Sequence, residues 1–217
     1  MRIFLTLAGI GVGLFGLGID FWQMVVQPTV TSPANAEPRS LPEALIWFWT
    51  YFTHLSNLGL LLVYLATLTG WRWLGWFAKP RTQAAMGGYI LLVMLYYHFM
   101  LSGRYAFEGP MLWATFTLHY IAPIYYLLWW AACTPHGSLR YSEIGRMLVP
   151  GLLYVMWVLL RGAIVGEYPY DILDAGKFGY GAVAAGIGAL LAAVVVFCAI
   201  MVGADRLLVV AGGRGTV

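Results

Sequence analysis

Hydrophobic residues in this chain come in runs of about twenty or more, separated by polar stretches too short to fold on their own. Inside lipid, every backbone N–H and C=O must be satisfied within its own segment, so runs of this length dictate helices that cross a bilayer. Six spans fit the hydropathy, at about residues 3–27, 41–69, 84–103, 111–133, 146–165 and 179–204. Pro28, Pro42, Pro80, Pro110 and Pro135 mark their ends. Only 10% of the 217 residues are charged, which leaves nothing for a soluble core. The expectation is an all-α, multi-pass membrane protein with one domain over residues 1–217.

Loop charges set the orientation. Arg72, Lys79 and Arg81 lie between the second and third spans, and Arg140 and Arg146 between the fourth and fifth. Opposite them, the loop after the first span carries Glu37 and Arg39, and that after the fifth carries Glu167, Asp171 and Asp174 against Lys177. The positive-inside bias puts both termini in the cytoplasm. The 12 Lys and Arg are scattered, so no nucleic-acid face is expected, and no obligate protein partner is evident. Arg2, an apolar run and Ala34-Asn35-Ala36 imitate a cleavable signal peptide. The apolar run reaches Val26, longer than such a segment needs, and is read as a retained first helix. Cys133 and Cys198 fall in apolar segments as buried thiols, with no disulfide framework. Gly9, Gly11, Gly13, Gly16 and Gly18, and the Gly- and Ala-rich stretch 181–193, are read as packing faces. Short loops and small-residue spans fit a bacterial inner membrane.

Against this background residues 48–60, FWTYFTHLSNLGL, stand out. Thr50, Thr53, His54, Ser56 and Asn57 lie within about two helical turns at membrane depth, where polar groups are costly unless they line a site. On one continuous helix, Thr50, Thr53 or His54, and Asn57 form a stripe. At the helical rise, Thr53 lies about 12 Å below the outer boundary and His119 at about the same depth. Asp20 and His98 sit roughly 8 to 11 Å from the outer ends of their spans, and Arg161 closes the fifth span on that side. The ionisable residues thus gather in one leaflet.

A hydroxyl becomes a nucleophile when a base takes its proton, and neutral histidine suits that task near neutral pH. Thr53 or Thr50 with His119 as base would make an acyl-transfer site. Asn57 would donate to an oxyanion or hold substrate, with Ser56 beside it, and Asp20 is the candidate carboxylate behind the imidazole.

YFTHLSN (51–57), LHYIAP (118–123) and RGAIVGEYPYDILDAGKFGY (161–180), in that order, resemble the androgen-induced membrane hydrolase family. The resemblance covers most of the chain. It implies an intramembrane threonine hydrolase that cleaves fatty acid esters of hydroxy fatty acids, with a Thr in the second span and a His in the fourth. The histidine falls on His119. The threonine falls on Thr53, with Thr50 as the alternative one turn away. The resemblance further implies that the YPYD loop caps the site, with Tyr168 and Tyr170 at the interface and Arg161 meeting a fatty-acid carboxylate. Two departures stand out: a shorter His-to-Pro spacing in LHYIAP, and Asp171 inside YPYDILD. The reading requires no metal or cofactor, and its partners are the lipid substrate and the bilayer. Two alternatives remain, a non-enzymatic lipid-binding protein and a haem or metal protein using His54, His98 and His119.

Overall fold

The computed structural model describes residues 1–27, 39–104 and 106–213. Pro28, Glu37 and Ala34-Asn35-Ala36 lie outside them. Among the described residues the regular structure is helical throughout. Helix α1 (Arg2–Phe21) runs into a π turn, Trp22–Val26. It is followed by α2 (Leu41–Phe48), α3 (Phe52–Thr69) and α4 (Pro80–Tyr96), the last continued by the π turn Tyr97–Leu101. Helix α5 (Gly109–Phe116) passes through the π turn Thr117–Ile121 into α6 (Ala122–Cys133). Helices α7 (Ile144–Val165) and α8 (Ala175–Gly213) complete the chain, α8 bending at Gly179, where φ is 77°.

Among the described residues five helices are long and apolar enough to cross a membrane: Arg2–Val26, Phe52–Thr69, Pro80–Leu101, Tyr141–Val165 and Ala175–Val209. The run 109–133 is helical without a gap, but Trp, Tyr, His119 and Pro123 dilute its hydropathy. The expected continuous second span is corrected: the helix breaks at 49–51. Trp49 has ψ near 0° and Tyr51 is extended, with φ −76° and ψ 128°. The break falls in an aromatic and β-branched run, whose residues are middling helix formers. Ser40 and Glu43 form a reciprocal cap at the start of α2, with the Ser40 N–H donating to Glu43 Oε2 at 2.9 Å.

The chain divides into two compact units, Met1–Lys79 with Val93–Thr134, and Pro80–Leu92 with Pro135–Val217. In the first, α1 packs along α3, α5 and α6, and its glycines split by face. A methyl added at Gly9 would sit 2.5 Å from Tyr64 Cζ, at Gly13 2.6 Å from Leu61 Cδ2, and at Gly16 2.8 Å from Leu118 Cδ2. At Gly11 and Gly18 it would meet nothing within 4 Å. Three of the five glycines therefore permit close helix approach. Tyr64 meets Tyr126 and Trp129 edge-on behind them, Trp129 Nε1–H donating to Thr6 Oγ1 at 3.0 Å. Leu17, Val25, Ala44, Phe48, Leu61 and Leu118 form the core nearest the polar residues.

In the second unit, Pro150 lies inside α7 and interrupts its hydrogen-bond ladder. The Tyr89 hydroxyl enters the opening: it accepts the Gly151 N–H at 2.9 Å and donates to the Met147 carbonyl at 2.5 Å. The Cys198 sulfur lies against Gly88, and both cysteines are free and buried. Helix α8 outruns the expected boundary at 204. Asp205 is therefore intrahelical and 1% exposed, accepting the Leu139 N–H at 3.0 Å and lying 3.2 Å from His136 Nδ1.

Candidate functional site

Because the helix breaks at 49–51, Thr53 sits in the first turn of α3, and this turn presents it to the π turn of the α5–α6 run. Thr53 Oγ1 lies 3.3 Å from His119 Nε2. The other ring nitrogen, Nδ1, lies 2.8 Å from the Thr115 carbonyl. A carbonyl only accepts, so Nδ1 carries the hydrogen and the Nε2 lone pair faces the threonine hydroxyl. That is the tautomer a general base requires. The Tyr97 ring stacks on the imidazole, with centroids 4.0 Å apart and planes at 25°, and closes one face of it.

Asn57 explains how the two elements are held together. In the π turn the Ala122 N–H goes to the Thr117 carbonyl, and the next residue, Pro123, has no N–H. The Leu118 carbonyl is thus left without its backbone donor. Asn57 Nδ2 supplies one at 3.2 Å while donating to the Thr53 carbonyl at 2.8 Å. Two carbonyls around one amide group admit a single orientation of it. The expected oxyanion role for Asn57 is therefore corrected, since its amide hydrogens are spent on the backbone. The Asn57 Oδ1, Ser56 Oγ and Thr117 Oγ1 atoms are buried without a hydrogen-bond partner.

Asp20, weighed as the carboxylate behind His119, meets His54 instead: Oδ2 lies 2.6 Å from His54 Nε2. His119 takes its orientation from the Thr115 backbone. Thr50, the alternative nucleophile, precedes α3 and donates its hydroxyl to the Ile46 carbonyl at 2.7 Å. The stripe expected from Thr50 to Asn57 thus begins at Thr53. His98 is exposed and lies 3.1 Å from the Tyr120 hydroxyl. Arg161, Tyr168 and Tyr170 belong to the second unit. There Arg161 donates to the Glu167 carbonyl at 3.2 Å and pairs with the Glu167 carboxylate at 3.6 Å. Tyr168 crosses Gly162 so closely that a Cβ there would fall within its ring. Tyr170 is half-buried, just before the short helix Asp171–Leu173.

Sequence reasoning missed Tyr97 and the Thr115 carbonyl. Only the second had a signal, since Thr115 precedes His119 by four residues and shares its helix face. As a metal or haem set, His54, His98 and His119 do not converge. His54 is held through both nitrogens by Phe48 and Asp20, and His98 pairs with the Tyr120 hydroxyl. Among the described residues no three His, Cys, Asp or Glu side chains gather where one ion would reach them. No protein-family model, curated protein or solved structure matches the chain.

Proposed function

We propose that the chain is an intramembrane ester hydrolase with Thr53 as nucleophile and His119 as general base. The observation that carries this reading is the 3.3 Å approach of Thr53 Oγ1 to His119 Nε2, with Nδ1 committed to Thr115. In the first half-reaction Thr53 Oγ1 attacks the ester carbonyl as its proton passes to Nε2. Collapse expels the alcohol, which takes that proton from Nε2 and leaves an acyl-threonine. Water then attacks the acyl carbon, gives its proton to Nε2, and the fatty acid leaves as Thr53 Oγ1 recovers the proton. No outside reductant, oxidant or ion enters the balance.

The resemblance of the three motifs to those of androgen-induced membrane hydrolases supports fatty acid esters of hydroxy fatty acids as the substrate class. Such substrates partition into the bilayer, which suits a pair this deep in a helix-only fold. In this reading the hydropathy supports six spans, with the run 109–133 as the fourth, and the loop charges support cytoplasmic termini. A bacterial inner membrane fits the short loops.

The test is hydrolysis of a branched fatty acid ester of a hydroxy fatty acid by purified protein. Thr53→Ala, Thr50→Ala and His119→Ala are run beside wild type. The expected result is a loss of at least roughly 10³-fold in Thr53→Ala and His119→Ala, with Thr50→Ala active. An inactive wild type that retains fatty acid through purification would point to lipid binding instead. Full activity in His119→Ala would overturn the mechanism.

A further inference from the structure

The residue beside Thr53 belongs to a histidine–acid pair that the hydrolytic cycle leaves unused. His54 is 3% exposed and Asp20 8%. Two oxygens flank the imidazole, the Phe48 carbonyl 2.5 Å from Nδ1 and the Asp20 carboxyl 2.6 Å from Nε2. The carbonyl can only accept, so Nδ1 carries a hydrogen. Between Nε2 and Oδ2, two facing lone pairs with no hydrogen would repel at that distance. A second proton therefore lies between them, whether nearer nitrogen or oxygen. In either form the pair is neutral overall, and a neutral hydrogen-bonded pair is what a buried site tolerates. The neighbouring histidines thus carry opposite proton inventories: His119 presents a lone pair, whereas both nitrogens of His54 face shared hydrogens.

The same contacts bridge the break in the second span. Phe48 is the last residue of α2, Asp20 lies near the end of α1, and His54 is in the first turn of α3. The imidazole also stacks on the Phe48 ring, with centroids 3.9 Å apart and planes at 12°. Residues 49–51 lie outside any helix and their N–H groups turn back onto the Leu45, Trp47 and Phe48 carbonyls of α2, so it is His54 that ties this elbow by its side chain to α1.

We propose that Asp20 and His54 are positioning residues for Thr53: a proton-sharing pair that locks the α2–α3 elbow, so that Thr53 Oγ1 is held toward His119 Nε2. This deepens the hydrolase reading and rests on it. A nucleophile displaced by about 1 Å loses on the order of 10²-fold in rate, so the lock acts on turnover rather than on binding.

The test uses the full chain in lipid nanodiscs, with Asp20→Asn as an isosteric variant and His54→Gln as a second that keeps a donor for Phe48. Ring-nitrogen NMR of wild type is expected to show a proton far downfield, lost in both variants, and His119 protonated at Nδ1. The His119 signals should shift in Asp20→Asn although its own contacts are untouched. Acylation of Thr53 by an activated acyl ester should slow roughly 10- to 100-fold in kcat with KM unchanged. Absence of the downfield proton in wild type would overturn the shared proton. Loss of that proton with His119 signals and acylation unchanged would overturn the positioning role. If wild type is not acylated at all, the hydrolase reading fails by itself, and the His119 signals in the two variants still decide whether the pair positions this turn.

Discussion

Asn57 offers a test in which two substitutions of similar shape should part company. Replacing it by Leu removes the donor to the Leu118 carbonyl, whose backbone donor is already missing, at a cost of about 1–3 kcal/mol. The same change removes the buried Oδ1, which has no partner, and returns about 1–3 kcal/mol. The two nearly cancel, so Asn57→Leu should melt within about 3 °C of wild type. Asn57→Asp keeps an acceptor in place of Oδ1 and turns the other oxygen toward carbonyls that lay 2.8 and 3.2 Å from the amide nitrogen. An ionised carboxylate buried there without a cation would cost several kcal/mol, so the group takes up a proton, and its single O–H serves only one carbonyl. The net loss is about 2–4 kcal/mol, or roughly 5–15 °C in melting temperature for a chain of this length. Far-UV circular dichroism melts in one detergent read both variants. Thr53 acylation in Asn57→Leu should still fall about tenfold, because the tie between α3 and the π turn is gone. Equal melting of Asn57→Asp and wild type would refute the assignment, as would a Leu variant as unstable as the Asp one.

The glycines of α1 give a change of sign within one helix. Gly9→Ala and Gly13→Ala drive a methyl into Tyr64 and Leu61 and should destabilise by about 1–3 kcal/mol. Gly11→Ala, on the open face, should stabilise by about 0.5–1 kcal/mol in the same melts. Tyr89→Phe strips the hydroxyl that joins the Gly151 N–H to the Met147 carbonyl. It should lower stability by about 1–3 kcal/mol and speed amide exchange at Gly151.

Hydropathy located the helical runs because lipid burial is what it measures, although it closes the last span at 204 where α8 continues to Gly213. It was blind to the break at 49–51, since Trp49, Thr50 and Tyr51 are no less suited to a membrane than the residues around them. Depth arithmetic brought Thr53 and His119 to one level, and the structure brings them into contact. Depth could not tell that Asp20 belongs with His54 rather than His119. That choice depends on helix rotation, about 100° for each residue, while depth changes by only 1.5 Å. Asn57 was legible as polar and inward, but its task depends on Pro123 and a π turn, and nothing in composition distinguishes a π turn from an α turn. Asp205 falls just outside the expected last span, which ends at 204, and so its place inside α8 is not legible from hydropathy.

The three π turns among the described residues, Trp22–Val26, Tyr97–Leu101 and Thr117–Ile121, follow Asp20, carry Tyr97 and hold His119. Each amounts to one residue more than an α-helix needs. Removing that residue would restore an unbroken α ladder with the flanking helix nearly in its old direction, whereas a residue removed from an α turn swings everything beyond it by about 100°. Aim is therefore encoded by counting. A one-residue deletion in the Thr117–Ile121 turn would turn His119 away from Thr53 while leaving α5 and α6 nearly in place, without altering any catalytic side chain. In a fold of this kind, single-residue insertions and deletions inside helices are a route to new reactivity as direct as substitution in the site itself.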